Sequence, residues 1–164
     1  MKKTLIIFLM AGFLALPALA KAQTGDQAIG LHFGGGIGYG TEISFQTPFK
    51  KDRAELDLGL GNRNDYSYWN LTGLYQWVMP IESGFNWYLG AGPSLGNWSH
   101  DDNNNSGVYL AAALNAGIEY NFSEVPLQIS IDTRPELSLV NPPDDPFGWG
   151  LSLALRYRFN TNAE

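Results

Sequence analysis

Apolar and polar residues alternate one by one along most of this 164-residue chain, and no other feature restricts its fold as strongly. In residues 148–159, tryptophan, leucine, tyrosine and phenylalanine occupy the odd-numbered positions, whereas glycine, serine, alanine and arginine occupy the even ones. Successive side chains of a β-strand point to opposite faces of the sheet, so this period of two predicts a strand with one apolar and one polar face. No segment has a helical period longer than one turn.

The same alternation recurs in eight runs along the chain. Clusters of glycine, asparagine, aspartate and proline, which are typical of turns, separate these runs. The runs cover residues 28–38, 40–49, 53–62, 66–79, 85–98, 107–122, 126–140 and 148–159. We therefore predict an all-β chain of eight antiparallel strands joined by hairpins.

Residues 1–22 have the pattern of a secretory signal peptide. Lys2 and Lys3 form a positively charged start, an apolar stretch covers residues 5–16, and two small-x-small sites follow, of which the one ending at Ala22 is the preferred cleavage site. The apolar stretch is shorter than the ~20 residues that a membrane-spanning helix needs, which argues against an N-terminal anchor. We predict that residues 1–22 are removed and that residues 23–164 form one β-barrel domain of an exported protein.

Composition restricts the partners of this domain. Without the signal peptide, seven basic residues remain against sixteen acidic ones, a formal charge of −9. No basic stripe is present to neutralise phosphates, so we expect no nucleic-acid partner. The chain has no cysteine, which excludes disulfides, thiolate metal sites and a lipid attached to an N-terminal cysteine. Such an exported protein is periplasmic, secreted or integral to an outer membrane.

The face that meets water distinguishes a soluble barrel from a membrane barrel. About 25–35% of a soluble protein's surface residues are charged, yet the only lysines after residue 22 are Lys50 and Lys51. The polar face consists mainly of glycine, serine, asparagine, glutamine and alanine, which suits a narrow, filled interior. About ten residues of a strand tilted by about 40° rise about 25 Å, the height of the apolar band of a membrane barrel. The apolar face is therefore predicted to contact lipid.

Aromatic residues sort toward both ends of the predicted strands. The predicted periplasmic ends carry Phe49, Tyr75, Trp77, Phe85, Trp87, Tyr120, Phe122, Tyr157 and Phe159. The predicted external ends carry Tyr39, Tyr66, Tyr68, Trp69, Trp98, Phe147 and Trp149. Aliphatic residues fill the middle, so two aromatic girdles are expected around an aliphatic band. Short turns at 48–52, 80–83 and 123–125 and mostly longer polar loops at 62–65, 99–106 and 141–147 favour the same orientation.

In these features the chain resembles the small eight-stranded outer-membrane barrels of the OmpA/OmpX kind and the porin-like outer-membrane β-barrel domain proteins of Gram-negative bacteria. Its most specific match is the last strand, where Leu155, Tyr157 and Phe159 look like the aromatic-ended signal that the barrel-assembly machinery reads. In that class the aromatic is commonly the final residue, whereas residues 160–164 follow here. Residues 132–135, Asp-Thr-Arg-Pro, are similar to a recurring element of such domains.

The resemblance implies an up-and-down transmembrane β-barrel in the cell outer membrane. It implies outer-membrane lipid and the barrel-assembly machinery as partners, and we expect the barrel to be a monomer.

An eight-stranded barrel is just wide enough for side chains to fill its interior. Nine charged residues on the polar face are predicted to form an interior ion-pair network: Glu42, Glu55, Asp57, Glu119, Asp132, Arg134, Glu136, Arg156 and Arg158. Unpaired charges there would be costly, so arginines are expected to bond to carboxylates. The last strand lies beside the first and the seventh. Its two arginines are predicted to reach one of three carboxylates, those of Asp132, Glu136 and Glu42.

Two sets of residues partly match catalytic or metal sites. His32 faces inward near Glu42 and Ser44, in principle a base, an acid and a nucleophile. Barrel enzymes that act on lipid need such groups within reach of lipid, so a hydrogen-bonded interior histidine is the preferred interpretation. The loop at 99–107 begins like an EF-hand, but its twelfth position is Ala113 where a glutamate is needed. We predict no catalytic residue, no metal site and no cofactor.

The sequence therefore predicts a structural or surface-interaction protein of the cell envelope without enzyme activity. Three alternatives stay open: a narrow passive pore, a soluble periplasmic lipocalin-like binding barrel and a lipid-modifying barrel enzyme. They differ in which face of the strands is exposed, in whether the interior is open, and in whether lipid can reach His32.

Overall fold

The computed structural model describes residues 26–36, 40–63, 66–100, 105–141 and 145–159. The predicted signal peptide, the tail at 160–164 and parts of the predicted external loops lie outside the described residues. Within the described ranges, no helix is long and apolar enough to cross a membrane.

The described chain forms ten strand segments. They are β1 (Gln27–Gly34), β2 (Thr41–Phe49), β3 (Asp52–Arg63), β4 (Tyr66–Glu82), β5 (Phe85–His100), β6 (Asn105–Asn121), β7 (Leu127–Thr133), β8 (Glu136–Val140), β9 (Phe147–Gly148) and β10 (Leu151–Phe159). Neighbours along the chain pair antiparallel from β1 to β6, both β7 and β8 pair with β6, and β10 pairs with β7 and β1. Because β7 with β8 and β9 with β10 each make one barrel strand, the chain is a closed eight-stranded antiparallel up-and-down barrel. This confirms the predicted fold class.

The seventh barrel strand is interrupted at Arg134 and Pro135, where the sequence predicts one continuous run over 126–140. Proline has no N–H to donate to a neighbouring strand. The backbone stays anchored by its carbonyls, because Pro135 O accepts from Leu114 N at 2.9 Å and Arg134 O accepts from Gly36 N at 3.2 Å. The alternation of inward and outward side chains continues through this break, so the side chain of Arg134 still points into the barrel interior.

Short connections join β2 to β3, β4 to β5 and β6 to β7 at one end of the barrel, here called the turn end; the opposite end is the loop end. The β2–β3 connection has only two residues, Lys50 and Lys51, because Phe49 pairs with Asp52. Lys50 has a backbone φ of 58°. The first residues of β1 and the last residues of β10 pair at the same turn end.

The barrel wall is polar inside and apolar outside. On β10, Leu151 and Leu153 are 69% and 46% exposed, whereas Ser152, Ala154 and Arg156 are 4%, 0% and 0% exposed. The same alternation runs along the other strands. A soluble barrel would bury its apolar face, whereas a transmembrane barrel turns that face toward lipid. The predicted assignment of faces is confirmed, and the burial pattern argues against the lipocalin-like alternative.

Six aromatic residues at the turn end form two clusters on the outer wall. In the first, Tyr75 makes edge contacts with Phe49 and Trp77, at centroid distances of 6.0 and 5.2 Å. In the second, the Tyr120 ring lies 4.5 Å from that of Phe85 and 4.8 Å from that of Phe122.

The predicted aromatic girdle at the loop end is wrong in part. Tyr68 and Trp98 point into the barrel, where their rings fill the space beside Gly61 and Gly107. Their even-numbered strand positions put both side chains on the inner face. The predicted girdle took into account only how near a residue lies to the end of its strand. Trp69, Phe147 and Trp149 do face outward, and Tyr39 lies outside the described residues.

Candidate functional site

The barrel interior is the candidate site because it contains the buried charges. All nine charged residues predicted to share the interior lie there, none more than 7% exposed: Glu42, Glu55, Asp57, Glu119, Asp132, Arg134, Glu136, Arg156 and Arg158. Strand alternation places them on the inner face, and barrel closure brings residues of distant strands together. Most of their contacts fall into three groups, named here after Arg134, Arg156 and Arg53, whereas Arg158 pairs separately with Asp26.

The Arg134 group lies toward the loop end. Arg134 donates from Nη1 to Asp57 Oδ2 at 2.8 Å and from Nη2 to Glu42 Oε2, and its Nε lies 3.3 Å from Glu136 Oε1. A guanidinium carries five donors in a rigid plane and can therefore contact several carboxylates at once. Glu42 and Asp57 stand on β2 and β3, which do not pair with the seventh barrel strand that carries Arg134. One side chain therefore links strands that are not neighbours in the wall.

His32 extends the Arg134 group across β1. Its Nδ1 lies 3.0 Å from Glu42 Oε2, and its Nε2 lies 3.3 Å from both carboxylate oxygens of Asp132. The Tyr88 hydroxyl donates a hydrogen bond to Asp132 Oδ2 at 2.8 Å. Carboxylates at both ring nitrogens favour the imidazolium form of His32, in which both nitrogens donate.

The catalytic trio considered from the sequence is not assembled. Both ring nitrogens of His32 are occupied by carboxylates, and Ser44 Oγ accepts a hydrogen bond from Arg156 Nε at 2.8 Å. A serine nucleophile needs a base that accepts its proton. His32 and Ser44 are both fully buried, so lipid outside the barrel does not reach them.

The Arg156 group lies nearer the turn end. Arg156 Nη2 donates to Glu55 Oε2 at 3.1 Å, and Nη1 donates to Ser130 Oγ at 3.0 Å and Gln128 Oε1 at 3.4 Å. Gln46 donates to the same oxygen of Glu55. The sequence predicted that Arg156 reaches Asp132, Glu136 or Glu42, and its ion pair with Glu55 corrects that expectation.

The Arg53 group fills the turn end. Arg53 donates from Nη1 to Glu119 Oε2 and from Nε to Gln76 Oε1, both at 2.8 Å, and its guanidinium lies 5.2 Å from the Tyr88 ring centroid. Arg53 was not among the residues predicted for the interior, although it stands two residues before Glu55 and hence on the same strand face.

The second arginine of β10 is also paired differently from the prediction. Arg158 Nη2 lies 3.2 Å from Asp26 Oδ2, and its Nη1 donates to the carbonyl of Phe122 at 3.4 Å. Asp26 precedes the predicted first strand, so no alternation pattern pointed to it.

A cavity of about 640 Å³ lies at the turn end, with walls that include Lys50, Lys51, Arg53 and Arg158. Arg156 is two residues before Arg158 on the same inner face of β10 and therefore lies deeper in the barrel. It does not line the cavity. Arg156 is fully buried. The cavity is therefore a vestibule that ends at the Arg156 group.

Three side chains of the Arg134 group could provide metal ligands, because one donor atom each of His32, Glu42 and Asp57 lies within 4.8 Å of the others. The guanidinium of Arg134 already contacts both carboxylates. A metal ion would have to displace Arg134 or lie against its positive charge. The geometry therefore favours Arg134 over a metal as the cation of this group.

No protein-family model matches the sequence, and no curated protein matches it significantly. The N-terminal β-barrel domain of Pseudomonas aeruginosa OprF is similar in structure, with a TM-score of 0.69 and 15% identity over 83% of this chain and 98% of that one. Neisserial surface protein A has a TM-score of 0.59 and 17% identity, over 82% of this chain and 94% of that one.

Ail, the attachment invasion locus protein of Yersinia pestis, has a TM-score of 0.50 and 17% identity over the same shares of the two chains, 82% and 94%. At these identities the likeness shows the fold alone. That fold is the small eight-stranded outer-membrane β-barrel, as the resemblance in the sequence predicted.

Proposed function

We propose that this protein is an integral outer-membrane β-barrel with a closed interior, and that it serves the cell envelope in a structural or surface-interaction role without enzyme activity. The filled interior is the observation that carries this proposal, because Arg134 and Arg156 are buried across the space where a channel would run. An eight-stranded barrel is just wide enough for such side chains to fill it. The exposed apolar wall supports a location in lipid.

A surface role would use the loop end of the barrel. Two similar structures have names that refer to the cell surface and to attachment, which describe those proteins and support a comparable role here. In the proposed orientation the loop end faces the outside of the cell, so partners would contact the loops there.

A planar-bilayer recording tests the closed interior. We expect no discrete conductance from the purified barrel, because the vestibule ends at the Arg156 group. The double variant Arg156→Ser with Glu55→Ser removes the ion pair at the end of the vestibule but leaves the Arg134 group in place, so it too should show no discrete conductance. Heat-modifiable migration, the test for a closed barrel, verifies folding of both proteins. Discrete openings of the wild-type barrel would contradict the proposal and favour a narrow passive pore.

The proposed lack of enzyme activity is supported by the burial of His32 and Ser44. Expression of the protein should leave lipid A and phospholipid acylation unchanged. Altered acylation that disappears in His32→Ala would contradict this.

We further propose that the barrel is a monomer and that Leu155, Tyr157 and Phe159 are its signal to the barrel-assembly machinery. The proposal is supported by their place on the outward side of β10, the strand that closes the barrel on β1. Phe159→Ala should lower the amount of heat-modifiable protein in the outer membrane several-fold while leaving refolding in detergent unchanged. Leu153→Ala, on the same face but outside the signal, is the control. Equal membrane levels in the two variants would contradict the assignment.

A further inference from the structure

The turn end carries an uneven distribution of charge. The β2–β3 turn consists of Lys50 and Lys51, whereas Glu82 lies at the β4–β5 turn and Glu124 at the β6–β7 turn. Both lysines are exposed, and among the described residues no ion pair joins either of them to a carboxylate. One sector of this rim is therefore cationic, and two sectors are anionic.

The lysine turn lies at the edge of the first aromatic cluster on the outer wall. Lys50 Nζ is 5.7 Å from the centroid of the Phe49 ring. The nearest carboxylate along the chain, that of Asp52, accepts a hydrogen bond from Tyr75 Oη at 2.6 Å. The positive charge thus stands where an apolar, lipid-facing surface ends, which is the level of lipid headgroups.

The backbone conformation at position 50 does not favour lysine. Its φ of 58° lies in the left-handed region, where glycine and asparagine are preferred in two-residue hairpin loops. A lysine there is strained relative to glycine. A residue other than glycine in this strained conformation motivates the hypothesis that its side chain has a role.

We propose that Lys50 and Lys51 bind the phosphate of an anionic phospholipid in the periplasmic leaflet, while its acyl chains lie along Phe49, Tyr75 and Trp77. This inference rests on the outer-membrane location and orientation proposed above. Each ammonium offers three hydrogen-bond donors to phosphate oxygens. Lys50 and Lys51 also line the vestibule. The aromatic cluster favours a lipid over free phosphate, because it extends the site along the outer wall and free phosphate has no apolar part to lie there.

Native mass spectrometry of the barrel in nonionic detergent tests the site with three probes: phosphatidylglycerol, diacylglycerol with the same chains, and inorganic phosphate. The double variant Lys50→Gly with Lys51→Gln should bind phosphatidylglycerol about 25-fold more weakly, since each basic residue near an anionic membrane surface contributes about fivefold. Its weaker affinity for diacylglycerol should not change. Millimolar inorganic phosphate should not displace the lipid.

The matched controls are Glu82→Gln and Glu124→Gln, which change one charge on each of the other two turns. Neither should weaken binding of phosphatidylglycerol. Lys50→Gly relieves backbone strain, so loss of binding cannot be attributed to a damaged turn, and heat-modifiable migration verifies folding. Unchanged binding by the double variant, or displacement by inorganic phosphate, would overturn this inference. Absence of heat-modifiable migration in the wild type would instead count against the proposed membrane barrel.

Discussion

The outer and inner faces of the barrel wall are stabilised in different ways. On the outer face, neighbouring apolar side chains such as Leu153 and Ile131 are paired across strands, and each is also exposed to the surroundings of the barrel. On the inner face, Arg134 and Arg156 contact particular oxygens of particular residues. An apolar surface against lipid requires only hydrophobicity, whereas a buried charge requires its partner. The outer face should therefore tolerate substitution within a chemical class, and the inner face should not.

The largest effect is expected from Arg134→Met, which leaves the carboxylates of Glu42, Asp57 and Glu136 without their shared guanidinium. Removing one partner of a buried ion pair costs about 3–5 kcal/mol in the free energy of unfolding. Urea unfolding in lipid vesicles, followed by tryptophan fluorescence, measures this loss. Glu124→Gln removes an exposed charge at the turn end and should cost less than about 0.5 kcal/mol. A similar stability for the two variants would contradict the specificity ascribed to the inner face.

A smaller loss is expected when a charge is placed on the outer face. Leu153→Arg should lower the free energy of unfolding in vesicles by about 2–4 kcal/mol, because a lipid-facing arginine is costly near the bilayer midplane. Phe85→Arg, at the turn end of the same face, should cost about 0–1 kcal/mol. Equal costs at the two depths would contradict the lipid-facing assignment.

The smallest expected difference in the free energy of unfolding is between substitutions of two inner-face carboxylates, Glu55 and Asp57. Glu55 forms the ion pair of Arg156, whereas Asp57 shares Arg134 with Glu42 and Glu136. Glu55→Gln should therefore destabilise the barrel by about 3 kcal/mol, and Asp57→Asn by about 1 kcal/mol, the net worth of a typical hydrogen bond. Both changes convert a carboxylate to a carboxamide, with one oxygen replaced by an NH2 group, and can be compared by urea unfolding. The reverse order would show that the two arginine groups do not differ in this way.

Much of the fold could be predicted from the sequence because its pattern has a period of two. Alternation assigned Leu153 to the outer wall and Arg156 to the interior, and the eight runs gave the number of barrel strands. The break at Pro135 was missed because alternation continues on both sides of it, although proline cannot complete a strand pairing. Tyr68 and Trp98 were placed in the outer girdle because they lie near strand ends, although strand position puts them inside.

The pairing partners inside the barrel could not be predicted in the same way. Alternation states which face a residue occupies, but the height of that residue on the barrel axis depends on the stagger between strands. Arg156 was expected to reach Asp132, Glu136 or Glu42. The register instead sets it opposite Gly30 and Gln128, within reach of Glu55. Finding that contact requires the register of the strands around the closed barrel.

The pairing of β1 with β10 has a consequence for how this protein becomes a membrane protein. Asp26 and Arg158, which meet at this seam, are 132 positions apart, so closure joins the two ends of the domain. Contacts of such high sequence separation form slowly, since the entropy of a long chain segment opposes them. Until β10 arrives, β1 and β7 each present an open edge whose backbone groups lipid cannot satisfy. Partial insertion is therefore unfavourable. A fragment that lacks β10 should aggregate instead of inserting stably into the bilayer.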